Sequence, residues 1–246
     1  DDEVIAFDEE PQGKNSPDRV PYRRWRCAKV ERAQRLMLPS RRIHFANGQS
    51  IECSADHRWL VGQGALGNTR WLATDRLAYL GSANYRGHPS RVVKLLQPWE
   101  ENRSWDAGYL AAAFDGEGHI HQKKHSTAKN FRVGYSQKSN AMSEEVVSAL
   151  ARCGYDYGDS AHRDSGVTNY HVKGGKEETL RFLGSVRPGR LLANFDPDSI
   201  GYLKSHRRVD VPVVFVEDIG IREVIGLKTT TGTFIADGFA SHNSYQ

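Results

Sequence analysis

Strand-like runs at both ends of this chain enclose a stretch of helical character, and that order restricts the fold more than any other feature. Val4-Ile5-Ala6-Phe7, Arg42-Ile43-His44-Phe45 and Trp59-Leu60-Val61 are short apolar-rich runs bounded by turn residues, so residues 1–96 read as mostly β. Asn47-Gly48, lying between two such runs, predicts a hairpin because both residues tolerate positive φ. The period then changes. Ser104 is placed to cap a helix from Trp105 through Ala113, and strands are predicted near 118–124 and 130–137. Met142 to Cys153 puts Val146, Val147, Leu150 and Ala151 on one side of a helix. Strands near 155–163 and 168–173 and a helix over 177–186, stopped by Pro188, complete an αββαββα unit. From residue 207 the chain is β-like again in Val211–Val216, Glu223–Lys228 and Thr233–Ala236. The expectation is a mostly-β domain in two parts, residues 1–100 and 206–243, interrupted by an α+β insert over 101–205, with 244–246 lying past the second part. Inserts are tolerated where the host's chain ends lie close together at the surface.

Composition sets broad limits. A length of 246 residues suits one large domain or two modest ones, and a net charge of +4 is a mild pointer to nucleic acid. Mean hydropathy is −0.63 and no apolar run has membrane-spanning length, so no membrane partner is expected. The acidic start reads as no signal peptide, and three scattered cysteines neither frame disulfides nor make a zinc site. A reducing cytoplasm, in a bacterial or phage-infected cell, is the expected setting. Local charge says more: between His119 and Lys138 there are five Lys or Arg residues and no acid.

The tail carries chemistry. Ser241-His242-Asn243-Ser244 can break a peptide bond from within. The Asn243 amide nitrogen can attack its own backbone carbonyl, closing a succinimide and releasing whatever begins at Ser244. His242 is placed to polarise that carbonyl or protonate the leaving amine, and Ser244 carries a hydroxyl nucleophile. Gly48-Gln-Ser-Ile-Glu-Cys-Ser54-Ala-Asp-His57-Arg-Trp59 resembles the second conserved block of inteins, the Hint domains that splice themselves out of host proteins. Thr231-Gly-Thr-Phe-Ile-Ala-Asp-Gly with Ser241 to Ser244 resembles the last two intein blocks. The resemblance implies a horseshoe-like Hint fold over both flanks, with Ser54 and His57 at the upstream junction and His242, Asn243 and Ser244 at the downstream one. This chain departs from the family at two places. Asp1 is no nucleophile, and Asp1–Asp8 resembles the segment that follows the family's opening strands, which implies a partner fragment supplying those strands, as in a split intein. Gly226 and Gly232 stand where the family often has Asp and His, shifting work onto His242 and His57.

A second resemblance lies in the insert. Leu110-Ala-Ala-Ala-Phe-Asp115-Gly-Glu117-Gly118 resembles the LAGLIDADG helix of homing endonucleases. Small residues at Gly108 and Ala111–Ala113 let a partner helix approach closely, and Gly118 lets the chain turn into a strand. The resemblance implies Mg²⁺ held at Glu117 and Gly118, Gln137 positioning water and Lys176 stabilising charge, with Asp115 supporting a helix terminus. It implies a double-stranded DNA target, with His119, His121, Lys123, Lys124, Arg132 and Lys138 on strands in the major groove and Arg181, Arg187 and Arg190 reaching phosphates. A single motif implies a homodimer through the 105–116 helix. The alternative reading is a stand-alone DNA-binding or DNA-cleaving protein whose β flanks do not splice.

Overall fold

The computed structural model describes residues 2–12, 22–63, 68–122, 131–161, 165–203 and 209–243. The chain forms two compact units, one of Asp1–Leu96 with Tyr202–Gln246 and one of Gln97–Gly201. Ser244, Lys123 and Lys124 lie outside the described residues.

The first unit is β throughout. Its strands are β1 (Glu3–Phe7), β2 (Arg23–Phe45), β3 (Ser50–Ser54), β4 (Arg58–Gln63), β5 (Asn68–Ala73) and β6 (Arg91–Lys94). The sheet order is β1-β2, then a late strand (Val209–Thr229), β6, the last strand (Phe239–His242), β4 and β5. Where the sequence predicts short separate strands, β2 is one strand of 23 residues. Its successive stretches pair with different neighbours: Phe7 lies against Trp25, Val30 against Thr229, and Ser40–His44 against Ser50–Ser54. Pro39 survives inside it because it sits at a register shift between Asp218 and Ile221, where no regular ladder bond is required of it. The predicted hairpin forms, but only Gly48 has positive φ, at 83°; Phe45 accepts from the Gly48 N–H at 3.0 Å and donates to Gln49 at 2.9 Å. That is a turn with one left-handed residue rather than two. The core gathers Ile43, Phe45, Ile51, Trp59, Val61, Val92, Val213 and Phe239. Phe45 and Phe239 stack with centroids 4.5 Å apart, and truncating Phe239 to Ala would cost about 3–5 kcal/mol.

The second unit is α+β. Helix α1 (Trp105–Glu117) leads into β7 (Gly118–His121) and β8 (Arg132–Lys138); α2 (Ala141–Arg152), β9 (Tyr157–Ala161) and β10 (Val167–Val172) follow, then α3 (Gly175–Val186) and the short α4 (Gly189–Ala193). The Ser104 hydroxyl accepts from the Ala107 N–H at 3.2 Å, satisfying one of the otherwise unpaired donors of the first turn. Asn140 and Ser143 cap α2 reciprocally. The strands form a sheet in the order β7-β8-β10-β9. Helix α1 runs one turn further than predicted, and Gly118 is required at its end: a Cβ there would lie 2.3 Å from the Phe114 carbonyl oxygen. One sheet face packs Val133 and Tyr135 against Phe114 and Phe182.

The remaining strands of the first unit are β11 (Tyr202–Leu203), β12 (Val209–Thr229), β13 (Thr233–Ala236) and β14 (Phe239–His242). Asp237 and Gly238 join the last two with φ of 49° and 87°, the two positive values that a tight two-residue hairpin turn needs. Among the described residues no helix is long and apolar enough to cross a membrane.

Candidate functional site

The downstream candidates meet the upstream ones through strand pairing. Ser241 on β14 lies opposite Trp59 on β4, and the His57 ring packs edge-on to Trp59 at 4.5 Å. His57 also faces Phe234 at 6.0 Å, and the charge of His242 is among the influences on it. Burial pushes its pKa down to about 4, so the ring is neutral at pH 7 and can act as a base. Ser54 lies beside it on the wall of a cleft of 290 Å³, with Cys53, Trp59, Gly226, Phe234 and Asp237. Thr74 fixes the geometry here. Its hydroxyl accepts from Trp59 Nε1 at 3.0 Å and donates to the His57 carbonyl at 3.1 Å. Cys53 is pushed up to about 11 by burial and is therefore a protonated thiol, not a nucleophile, at neutral pH.

Asn243 and His242 are both buried. The Asn243 side chain is held by one residue on β12. Its Oδ1 accepts from Thr229 N at 3.2 Å and from Thr229 Oγ1 at 3.0 Å, and its Nδ2 donates to the Thr229 carbonyl at 3.1 Å. Its own N–H donates to the Gly232 carbonyl at 2.9 Å. The amide thus mimics a strand pairing, which fixes which end is oxygen and which is nitrogen. His242 Nδ1 lies 3.0 Å from the Asn243 carbonyl oxygen, the carbonyl of the bond to Ser244. The other ring nitrogen, Nε2, lies 2.7 Å from Glu9 Oε1. Sequence reasoning missed Thr229 and Glu9. Thr229 acts through its backbone as well as its hydroxyl, and Glu9, 233 positions from His242, reads in sequence as one more acid in a polar run.

In the second unit the register sets His119, Gly134, His171 and Gly158 directly across the four strands. Neighbours in register share a face, and alternation adds His121, Arg132, Ser136 and Lys138 to it, opposite the helices. His119 Nε2 and His121 Nε2 are 3.2 Å apart, and burial lowers both pKa values, as it does for His171. Gly134 makes room for this: a Cβ there would meet the His119 ring at 2.7 Å. The three arginines expected at phosphates are engaged elsewhere. Arg181 binds Glu178 and lies 4.0 Å over the Tyr155 ring, and Arg187 is 3.5 Å from Glu101. Arg190 donates to the carbonyls of Phe114, Asp115 and Gly118, closing the end of α1. Asp115 accepts from the N–H groups of Gly189 and Arg190 at 2.9 Å, so it caps the start of α4.

Within one chain these residues do not by themselves assemble the expected Mg²⁺ site. Gly118 O, expected as a ligand, accepts from the Arg190 guanidinium at 2.7 Å, a positive charge where a cation would bind. Glu117 is exposed at the end of α1, and among the described residues no group of three or more His, Cys, Asp or Glu could hold a metal. Gln137 lies at the same sheet end, its side-chain oxygen accepting from Lys138 N at 2.9 Å. Lys176 starts α3 and donates to the Ile200 carbonyl.

Residues 104–187 match the LAGLIDADG-like domain family, so the insert is a LAGLIDADG-like domain. No curated protein matches the chain. Among solved structures, the crystal structure of a mutant of an Ssp DnaB mini-intein variant is similar at 10% identity and a TM-score of 0.36, covering 99% of this chain and 100% of that one. The variant itself is similar at 12% identity and a TM-score of 0.34, covering 99% and 96%.

Proposed function

We propose that the β unit is a protein-splicing domain of the intein type that severs the Asn243–Ser244 bond by asparagine cyclisation. The observation that supports this best is the paired restraint on Asn243: its amide is clamped by Thr229 while its carbonyl oxygen faces His242 Nδ1 at 3.0 Å. Asn243 Nδ2 bonds to Asn243 C, the C–N bond to Ser244 breaks, Nδ2 loses a proton and the leaving amine gains one. An N–H at His242 Nδ1 stabilises negative charge growing on the carbonyl oxygen, and the buried setting strengthens that contact. Ser54 and His57 line a cleft with Gly226 and Phe234 and would serve the upstream junction, His57 as the neutral base. Ser244 would receive an acyl group before cyclisation. The test is release of a reporter fused after Gln246, followed by mass spectrometry. Asn243→Ala should abolish it.

The insert we read as a double-stranded-DNA-binding domain. The support is the outward sheet face, where His119, His121, Arg132 and Lys138 are joined by His171 and Asn169. Those groups suit base edges and phosphates. The outer side of α1 carries Trp105, Gly108, Ala112 and Gly116 in the open, and a Cβ at either glycine would meet nothing within 4 Å. The unit itself does not need glycine there, which favours a second copy packing on that face. Two copies would bring two Glu117 carboxylates, while cleavage through a metal is not supported within one chain. Gel shift of duplex DNA libraries, with Arg132→Ala as control, tests the binding.

A further inference from the structure

We propose that Glu9 is a positioning residue for self-cleavage: its carboxylate holds His242 as a doubly protonated ring whose second N–H points at the scissile carbonyl. This rests on the asparagine-cyclisation reading above. His242 touches two oxygens, the Asn243 carbonyl at 3.0 Å and a Glu9 carboxylate oxygen at 2.7 Å. Both are acceptors, and a neutral imidazole has one N–H. Both contacts become hydrogen bonds when the ring carries two, and the carboxylate beside it balances that charge.

Glu9 is built into place. Its backbone carbonyl accepts from Arg23 Nη2 at 3.0 Å and from Trp71 Nε1 at 3.3 Å, and the Trp71 ring meets the His242 ring edge-on at 5.0 Å. Gly232 is the other half of the arrangement. It has φ of 76°, and a Cβ there would lie 2.8 Å from Glu9 Oε2. The glycine that stands where an acid or histidine was expected therefore leaves the space that a carboxylate from the other end of the chain fills. Among the described residues, the titratable and charged groups that the contacts place around His242 are Glu9 from the segment after β1 and, through its electrostatic influence, His57 from the segment before β4, with Arg23 behind Trp71 at 5.9 Å. Of these, Glu9 is the one in hydrogen-bond contact with the ring.

In the cyclisation the imidazolium N–H stabilises the carbonyl oxygen throughout, and the proton leaving Nδ2 balances the one taken by the Ser244 amine. The His242–Glu9 pair ends as it began. The experiment has two arms. The first is the pH–rate profile of reporter release for the parent chain and Glu9→Gln. The expected result is an alkaline limb displaced to lower pH, because the carboxylate oxygen 2.7 Å from Nε2 favours the protonated ring, with the acid-side rate nearly retained. The second arm follows the ¹⁵N shifts of the His242 ring against pH in the non-cleaving Asn243→Ala background, with and without Glu9→Gln. A downward displacement of the ring's titration supports the assignment even if the parent releases nothing, in which case the cleavage reading alone fails. A ring that titrates identically with and without the carboxylate overturns the inference, whatever the release assay shows. Release that simply scales down equally at every pH also overturns it, since a merely structural role predicts that.

Discussion

Thr229→Val removes one contact to the reacting side chain and leaves its neighbours intact. Valine keeps the volume and β-branching that suit a buried strand position. The Thr229 hydroxyl has one proton, which it shares between two acceptors, Asn243 Oδ1 at 3.0 Å and the Thr233 carbonyl at 2.9 Å. Neither acceptor is orphaned by the change. Oδ1 keeps the Thr229 N–H at 3.2 Å, and the Thr233 carbonyl keeps the Thr231 hydroxyl at 3.1 Å. The loss is therefore that of one hydrogen bond with no stranded polar group, about 0.5–1.5 kcal/mol. If the bond helps hold the amide in its reactive orientation, reporter release slows roughly 2- to 13-fold. The assay is the single-turnover time course of release by intact mass, with thermal unfolding run in parallel to separate rate from stability. An unchanged rate would mean the clamp does not orient the nucleophile. A loss as complete as that of Asn243→Ala would mean the hydroxyl does chemistry that the geometry does not assign to it.

Other outcomes follow from the same contacts. His57 has a folded-state pKa of about 4 against the ordinary 6.5, so between those values the unfolded chain binds the extra proton and the folded one resists it. The β unit should lose up to about 3 kcal/mol as pH falls from 6.5 to 4; denaturant unfolding at several pH values measures this, and His57→Gln should flatten the slope. Gly118→Ala drives a Cβ into the Phe114 carbonyl at 2.3 Å and should lower the melting temperature of the insert or prevent its folding; circular dichroism of the helical signal reports it. Arg132→Ala on the outward sheet face should weaken DNA binding and lower the salt dependence by about one ion, whereas Arg190→Ala should act mainly on stability, because its guanidinium already serves three carbonyls of the α1 terminus.

The elements were largely legible in sequence where local chemistry sets them. Ser104 caps its helix, Asn47-Gly48 lies in its hairpin, and the four strands of the insert fall within or near the predicted ranges. What was hidden depends on pairing between distant segments. The polar stretch of β2 near residues 30–38 has no buried face to announce a strand; only β12, nearly two hundred residues away, makes it one. The same holds in the candidate site. His242, Asn243 and His57 stand out because the chemistry demands those residue types. Thr229 works through its backbone as much as its hydroxyl, and Glu9 meets His242 across 233 positions of sequence, so neither carries a local signal. Gly118 carries roles that the motif did not signal: its carbonyl accepts from Arg190, and its missing Cβ is what the turn requires.

The most direct measurement is the exact mass of the fragment that ends at Asn243 after the extended chain has been incubated. Cyclisation predicts a C-terminal succinimide, lighter by one water than the product of hydrolysis, and its disappearance in Asn243→Ala. A fragment ending from the outset in a free asparagine carboxylate, or release that persists without the Asn243 side chain, would contradict the account.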